Sequence, residues 1–108
     1  MVTTFEVLAE PTRRRILDLL RERERPVGEL VEHLALSQPG VSKHLRVLRE
    51  AGLVEVRHDA QRRFYGLRAE PLVEVDEWLE PYRRFWTGWT PSNGISMSIG
   101  EQAKGEKT

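Results

Sequence analysis

The chain has 108 residues, the size of one domain with a single modest core, and its 17 Lys and Arg residues balance 17 Asp and Glu residues. It has no cysteine, which excludes disulfides, thiolate metal sites and thiol redox sensing. It has neither a long apolar run nor a basic-then-apolar N-terminal segment, so we expect a cytoplasmic protein without a membrane span or a secretory signal.

The zero net charge conceals an uneven distribution along the chain. Residues 37–68 include seven basic and three acidic side chains, a net charge of +4, whereas residues 70–89 include two basic and five acidic ones, a net charge of −3. Phosphate binding depends on where the basic side chains lie rather than on their total. The middle of the chain is therefore compatible with DNA binding that is weaker and more salt-sensitive than that of a basic domain.

Two helices are predicted in the first part of the chain. Residues 3–9 have enough apolar side chains for a short helix or a packed arm. A stronger helix follows, with Glu10 as its cap and Pro11 in its first turn. Its buried stripe consists of three aliphatic residues: Ile16, Leu17 and Leu20. The alternating charges of residues 21–25 predict a solvated helix end, which Pro26 stops.

The next two helices have helix-turn-helix spacing. The first covers residues 27–34, and its inward face consists of Leu30, Val31 and Leu34. About three residues, 35–37, then connect it to the second helix. Such a turn usually has glycine where this chain has Ala35. If that position requires a positive φ, alanine costs about 1 kcal/mol there.

Residues 37–52 predict a helix with two different faces. Ser37 is suited to the N-cap and Gly52 to the C-terminal stop. Apolar side chains recur at i, i+4 and i+7: Val41, Leu45 and Leu48. The opposite side carries four polar residues: Gln38, Ser42, Lys43 and Arg46. These faces suit a helix that reads the DNA major groove, although this stretch alone is equally compatible with an ordinary surface helix.

Residues 53–67 change to the alternating pattern of a two-stranded hairpin. Residues 58–61 supply its turn, and three arginines lie near its tip: Arg57, Arg62 and Arg63. A helix-turn-helix followed by a basic hairpin is a winged helix, in which the hairpin contacts the DNA backbone or minor groove. The predicted fold class is thus mainly α with a small β-hairpin (α+β).

The last patterned segment, residues 70–89, predicts a helix that Pro71 starts and Pro81 kinks. It contains all three tryptophans, more aromatic surface than the core of a small winged helix needs. We expect N- and C-terminal helices to form a homodimer, the alternative being that the stripe folds back as core. The predicted interface residues are Phe5, Leu72, Val75, Trp78, Leu79, Tyr82, Phe85, Trp86 and Trp89. Residues 1–89 form the predicted domain, and residues 90–108, without helical pattern, a mobile tail.

Three segments resemble the ArsR/SmtB family of bacterial winged-helix repressors. They are FEVLAEPTRRRILDLL, ELVEHLALSQPGVSKHLRVLREAGLV and RRFYGL, and the later WLEPYRRFW is similar to a subgroup without metal-binding cysteines. The resemblance implies a homodimer that binds a palindromic operator and represses transcription of its own or a neighbouring operon. The founding members sense metals through a Cys-x-Cys in the helix before the reading helix, where this chain has Leu30, Val31 and Glu32. A second family site pairs Asp and His on the last helix, which here has no His.

We therefore expect no metal and no cofactor, and leave any small-molecule effector open. The three histidines, His33, His44 and His58, lack paired spacing, which favours structural or solvated roles. Gln38 and Ser42, then Lys43 and Arg46, are the candidates for base-edge contacts. Ser37 is a candidate for a phosphate contact besides its capping role, and Arg57, Arg62 and Arg63 for wing contacts.

Two other function classes compete with DNA binding. The neutral net charge and the acidic last helix are compatible with a winged helix that binds proteins and not DNA. An enzyme is disfavoured because the chain has no nucleophile–base–acid set, no Gly-rich phosphate loop and no metal-ligand spacing. Ser42 and His44, two residues apart on a helix, point in nearly opposite directions.

Overall fold

The computed structural model describes residues 2–88 of the chain. Trp89 and the proposed tail, residues 90–108, lie outside the described residues, so what the sequence predicts for them stays a prediction. The chain divides into two compact units, one that ends at Val75 and one that begins at Asp76.

The elements of the first unit form a winged helix, as the sequence predicts. In chain order the elements of both units are α1 (Thr4–Leu8), α2 (Pro11–Glu22), β1 (Arg25–Pro26), α3 (Val27–Leu34), α4 (Gln38–Glu50), β2 (Val54–Asp59), β3 (Arg62–Leu67) and α5 (Leu72–Leu79), followed by a 3₁₀ helix (Glu80–Phe85). The three strands form one antiparallel sheet in the order β1-β3-β2. The helix-turn-helix is α3 and α4, and the wing is the hairpin of β2 and β3.

The ends of the first two helices follow from local sequence. Thr3 and Glu6 form a capping box around α1: the Glu6 amide donates to the Thr3 hydroxyl at 3.1 Å, and the Thr3 amide donates to the Glu6 carboxylate at 2.9 Å. The Glu10 carboxylate accepts from the Thr12 amide at 3.4 Å, and Pro11 occupies the first position of α2. The predicted helix start at residues 10 and 11 is confirmed.

The apolar stripes predicted from periodicity meet in one core. Its members are at most 8% exposed: Val7, Ile16, Leu17, Leu20, Leu30, Leu34, Val41, Leu45, Leu48, Leu53, Val54 and Tyr65. Val31, predicted to face inward, is half-buried at the edge of this cluster. Since α2, α3, α4 and the wing all contribute, the same buried cluster fixes the position of α4 relative to the hairpin.

The segment after α2 departs from the prediction of a solvated helix end. The helix ends at Glu22, and Arg25 is only 4% exposed. Arg25 and Pro26 form β1, which pairs with Tyr65 and Phe64 of β3. The prediction that residues 21–25 continue the helix up to Pro26 is wrong, because a pairing across the sheet determines the backbone here.

Ala35 ends α3 in the left-handed region, at φ 56° and ψ 40°. An L-residue with a Cβ is strained there, and glycine is not. We expect Ala35→Gly to raise the free energy of unfolding by about 0.5–1 kcal/mol, measured by chemical denaturation. The control is Ala51→Gly: Ala51 has φ −84°, where glycine only adds entropy to the unfolded chain and should destabilise. Equal effects of the two variants would contradict the strain at Ala35.

The C-terminal segment is not one kinked α-helix over residues 70–89. Helix α5 ends at Leu79 and a 3₁₀ helix continues from Glu80 to Phe85. Pro81 has no N–H to donate to the carbonyl four residues earlier, and it lies in the first turn of the 3₁₀ helix, where that donor is dispensable. The proline therefore changes the helix type instead of bending a continuous α-helix.

Candidate nucleic-acid interface

Helix α4 is fixed at both ends by its own residues. The Ser37 hydroxyl accepts from the Gly40 amide at 3.2 Å, which is the predicted N-cap. At the other end the amide of Leu53 donates to the carbonyl of Leu48 at 2.9 Å, and Gly52 adopts φ 80°. This is a Schellman motif, which confirms Gly52 as the predicted stop.

The two faces of α4 are as different as the sequence predicts. Val41, Leu45 and Leu48 are at most 1% exposed and pack in the core. The side chains of the other face are exposed: Gln38, Ser42, Lys43 and Arg46. None of these four makes a hydrogen bond or an ion pair with any residue in the described part of the chain. They are therefore free to contact an external partner without first breaking an internal bond.

His44 lies between the two faces of α4 and joins it to α2. Its Nδ1 accepts a hydrogen bond from Nε of Arg13 at 3.3 Å, which is a structural role, one of the two that the sequence favours for the histidines. The neighbouring arginines of α2 form no ion pair within residues 2–88 and donate to backbone carbonyls. Arg14 donates to the carbonyl of Leu8 at 2.7 Å and Arg15 to the carbonyl of His33 at 3.4 Å. All three arginines thus brace helices to one another.

The wing turns more tightly than the sequence predicts. Asp59 pairs with Arg62, so only two residues form the turn, not the four of residues 58–61. Ala60 supplies the positive φ, 57°, that two-residue hairpin turns require and that glycine or asparagine usually provides. The turn places Arg62 and Arg63 at the exposed tip of the hairpin.

The register separates the three wing arginines, which the sequence groups together. Arg57 lies opposite Phe64 in the register, so alternation along the strands places Arg57, Arg62 and Phe64 on one face and Arg63 on the other. Arg57 is already paired: its Nη2 lies 2.9 Å from Oε1 of Glu24. The hydrogen bond that its Nε donates to the same oxygen, together with the Glu24 charge, raises the pKa of Arg57 above its ordinary value.

Sequence reasoning missed Phe64 and Glu24 at this site. The guanidinium carbons of Arg57 and Arg62 lie 4.8 Å and 5.0 Å from the centroid of the Phe64 ring. An aromatic residue on the polar face of an alternating strand was the available signal for Phe64. No pattern in the sequence indicates that Glu24 pairs with Arg57, 33 positions later.

Several predicted dimer-interface side chains expose apolar surface. In the first unit Phe5 is 40% exposed, whereas Leu72 packs against the edge of the core and Val75 is half-buried. In the second unit three aromatic residues are 44–71% exposed: Trp78, Tyr82 and Phe85. Leu79 and Trp86 are half-buried, and Trp89 lies outside the described residues. The rings of Trp78 and Tyr82 have centroids 4.9 Å apart.

Within residues 2–88 no group of three or more His, Asp or Glu side chains is arranged to hold a metal ion. No helix in this range is long and apolar enough to cross a membrane.

Comparison with known proteins identifies the family. The model of the bacterial regulatory protein, arsR family, matches residues 10–56. The transcriptional repressor SdpR of Bacillus subtilis (strain 168) is 33% identical over 79 residues, which cover 73% of this chain and 88% of that protein. The transcriptional activator HlyU of Vibrio cholerae is 40% identical over 78 residues, 72% of each chain. A crystal structure of a possible transcriptional regulator for arsenical resistance has a TM-score of 0.68 and 41% identity, covering 80% of this chain and 86% of that one. The chain belongs to the ArsR family of bacterial transcriptional regulators.

Proposed function

We propose that the protein is a dimeric repressor that binds a specific operator in its own or a neighbouring operon. The observation that carries the proposal is the outer face of α4, where four polar side chains are exposed and unengaged within the described residues. Gln38 lies at the first position of this helix, where such helices contact base edges. The family membership supports DNA binding and does not favour a winged helix that binds only proteins.

The proposed division of roles follows from chemistry. Gln38 and Ser42 contact base edges, and Gln can form two hydrogen bonds with adenine. Lys43 and Arg46, further along the same exposed face, contact guanine or the backbone. Ser37 caps the helix and contacts a phosphate. Arg62 and Arg63, at the exposed tip of the wing, add backbone contacts that carry no sequence information by themselves.

Two copies are needed because one α4 reads only one half-site. A two-fold dimer places two reading helices on successive turns of DNA, which corresponds to a palindromic operator. The exposed aromatic side chains of the second unit support its participation in the dimer interface. Light scattering of the full chain tests this step, and a monomer at micromolar concentration would contradict it.

Repression is the proposed direction of regulation, because SdpR is named a repressor. HlyU is named an activator, so the direction needs its own test. Selection of bound genomic fragments first identifies the operator. Transcription in vitro from that promoter should then fall when the protein is added. A rise would contradict repression while leaving operator binding intact.

We expect Gln38→Ala to change which sequence is preferred. Loss of one bidentate base contact reduces discrimination at that base pair by about 1–3 kcal/mol, while phosphate contacts remain. Gel shifts on the selected operator and on variants at each position measure this. Glu32→Ala, an exposed polar substitution on α3, is the control. An unchanged preference at every position would exclude Gln38 from base reading.

A further inference from the structure

The outer face of the wing carries an unusual cluster of charges around one aromatic ring. The guanidinium groups of Arg57 and Arg62 both lie about 5 Å from the centroid of the Phe64 ring, at 4.8 and 5.0 Å. Two carboxylates, Glu24 and Asp59, lie on the Arg57 side, with N–O distances of 2.9 and 3.9 Å. The two arginines are chemically alike, yet their surroundings differ.

Arg57 is exposed but engaged in an ion pair within the protein. Two of its nitrogens, Nη2 and Nε, lie 2.9 and 3.0 Å from Oε1 of Glu24. The Glu24 side chain in turn lies against the backbone of β3, since a Cβ at Gly66 would meet its Cγ at 3.3 Å. A DNA phosphate would have to displace this carboxylate from Arg57 and would then be close to its negative charge.

Arg62 has no such restraint. It is exposed at the tip of the wing and forms no hydrogen bond or ion pair within residues 2–88. Its guanidinium lies over the Phe64 ring, and that contact leaves all of its N–H donors unused. A long, flexible arginine loses side-chain entropy when DNA fixes it, and a ring that already orients it reduces this loss.

We propose that Phe64 is a positioning residue that holds Arg62 ready for a DNA phosphate, while Glu24 retains Arg57 as a structural part of the wing. The inference rests on the proposed DNA binding and assigns unequal roles to two arginines of the same hairpin. Arg57 neutralises Glu24 and approaches the ring from its partner strand. Arg62 provides the charge that reaches the backbone.

A double-mutant cycle on the selected operator tests the role of Phe64. Phe64→Leu, which keeps an apolar side chain and removes the ring, should weaken binding about 2–5-fold, the worth of one exposed cation–π contact. In an Arg62→Ala background the same change should have no further effect. Phe64→Tyr keeps the ring and should bind like the wild type. Thermal unfolding of each variant separates this effect from a loss of fold.

The salt dependence tests the role of Arg57. Arg62→Ala should flatten the plot of log affinity against log salt by about 0.9, the value of one phosphate contact. The double variant Glu24→Gln/Arg57→Gln removes the internal pair without changing net charge, and its slope should match the wild type. An NMR signal of the Arg62 side chain, shifted by the ring current in the wild type, should move in Phe64→Leu even without DNA.

The outcomes separate this inference from the proposed function. If Phe64→Leu weakens binding equally with and without Arg62, or if the Glu24→Gln/Arg57→Gln slope falls by about 0.9, the inference is overturned while DNA binding stands. If the wild-type dimer binds no DNA with a salt-dependent affinity, the proposed function fails and the inference fails with it.

Discussion

Replacing Arg62 and Arg63 together by alanine is expected to weaken binding to every DNA sequence by roughly 60-fold at about 0.1 M salt. Each arginine that neutralises a phosphate releases counterions and contributes about 0.9 to the slope of log affinity against log salt. Two such contacts contribute about 1.8 to the slope. Relative to about 1 M salt, where the counterion contribution vanishes, this slope gives the expected loss of affinity at about 0.1 M salt. Both side chains are exposed at the hairpin tip and form no hydrogen bond or ion pair with the residues that the structure describes.

The control for this variant keeps the charge. Arg62→Lys together with Arg63→Lys retains two cations, so the salt slope should stay close to that of the wild type. Gel shifts of both variants at several salt concentrations, on the operator and on unrelated DNA, measure slope and preference together. A lower affinity for the operator alone, with an unchanged slope, would show that these arginines read bases and do not bind phosphates.

The reading helix is predictable because its determinants are local. Ser37 and Gly52 specify where α4 begins and ends, since a serine hydroxyl satisfies a free amide and glycine accepts a positive φ. The spacing of Val41, Leu45 and Leu48 then decides which face is buried. Because Gln38 and Ser42 lie on the side of α4 opposite the buried face, they must point to solvent. The sequence alone therefore identifies them as candidates for base contacts.

The relative roles of the wing arginines require the register of the hairpin. The turn has no glycine, so its length and therefore its pairing are open at the level of sequence. The structure resolves this by placing Ala60 at φ 57° in a two-residue turn. Arg57 then faces Phe64 across the strands, and Glu24, which is remote in sequence, reaches it. No local pattern contains that information.

The prediction at Arg25 is wrong for the same reason, since a contact with a residue remote in sequence determines its position. The alternating charges of residues 21–25 are typical of a solvated helix end, and a two-residue strand has no periodicity of its own. The pairing of Arg25 with Tyr65, forty positions later, determines its position. A buried arginine is tolerable only where several acceptors meet it, and these acceptors come from α2 and α3.

Arg25→Ala is expected to lower the free energy of unfolding by about 2–3 kcal/mol. The Arg25 side chain is 5% exposed and pairs with Glu22 at 2.7 Å and Glu29 at 3.2 Å. Its Nε also donates to the carbonyl of Leu19 at 3.0 Å. Removing one partner of a fully buried ion pair costs about 3–5 kcal/mol, but these carboxylates are 63% and 34% exposed and can be hydrated, which reduces the loss.

Arg23→Ala is the matched control for Arg25→Ala. Arg23 pairs with the same carboxylate of Glu29, at 2.7 Å, but its side chain is 57% exposed. Exposed ion pairs contribute about 0–1 kcal/mol, so chemical denaturation should show a much smaller loss. Equal losses for the two variants would mean that charge near Glu29, and not the burial of Arg25 between α2, α3 and β3, stabilises this part of the fold.

The pH dependence of the Arg25→Ala effect follows from Glu29. Burial acts to raise the pKa of this carboxyl, but hydrogen bonds and charges from Arg23 and Arg25 outweigh it and hold the pKa below the ordinary value of 4.5. Because the pKa of Glu29 is lower in the folded than in the unfolded state, its pairing stabilises the fold at pH values above the unfolded-state pKa. That stabilisation is lost as the pH falls through the folded-state pKa. The difference in stability between wild type and Arg25→Ala should therefore be constant near neutral pH and shrink below about pH 4. A difference that persists unchanged in acid would assign the loss to the packing of the arginine stem and its bond to Leu19 instead of the ion pairs.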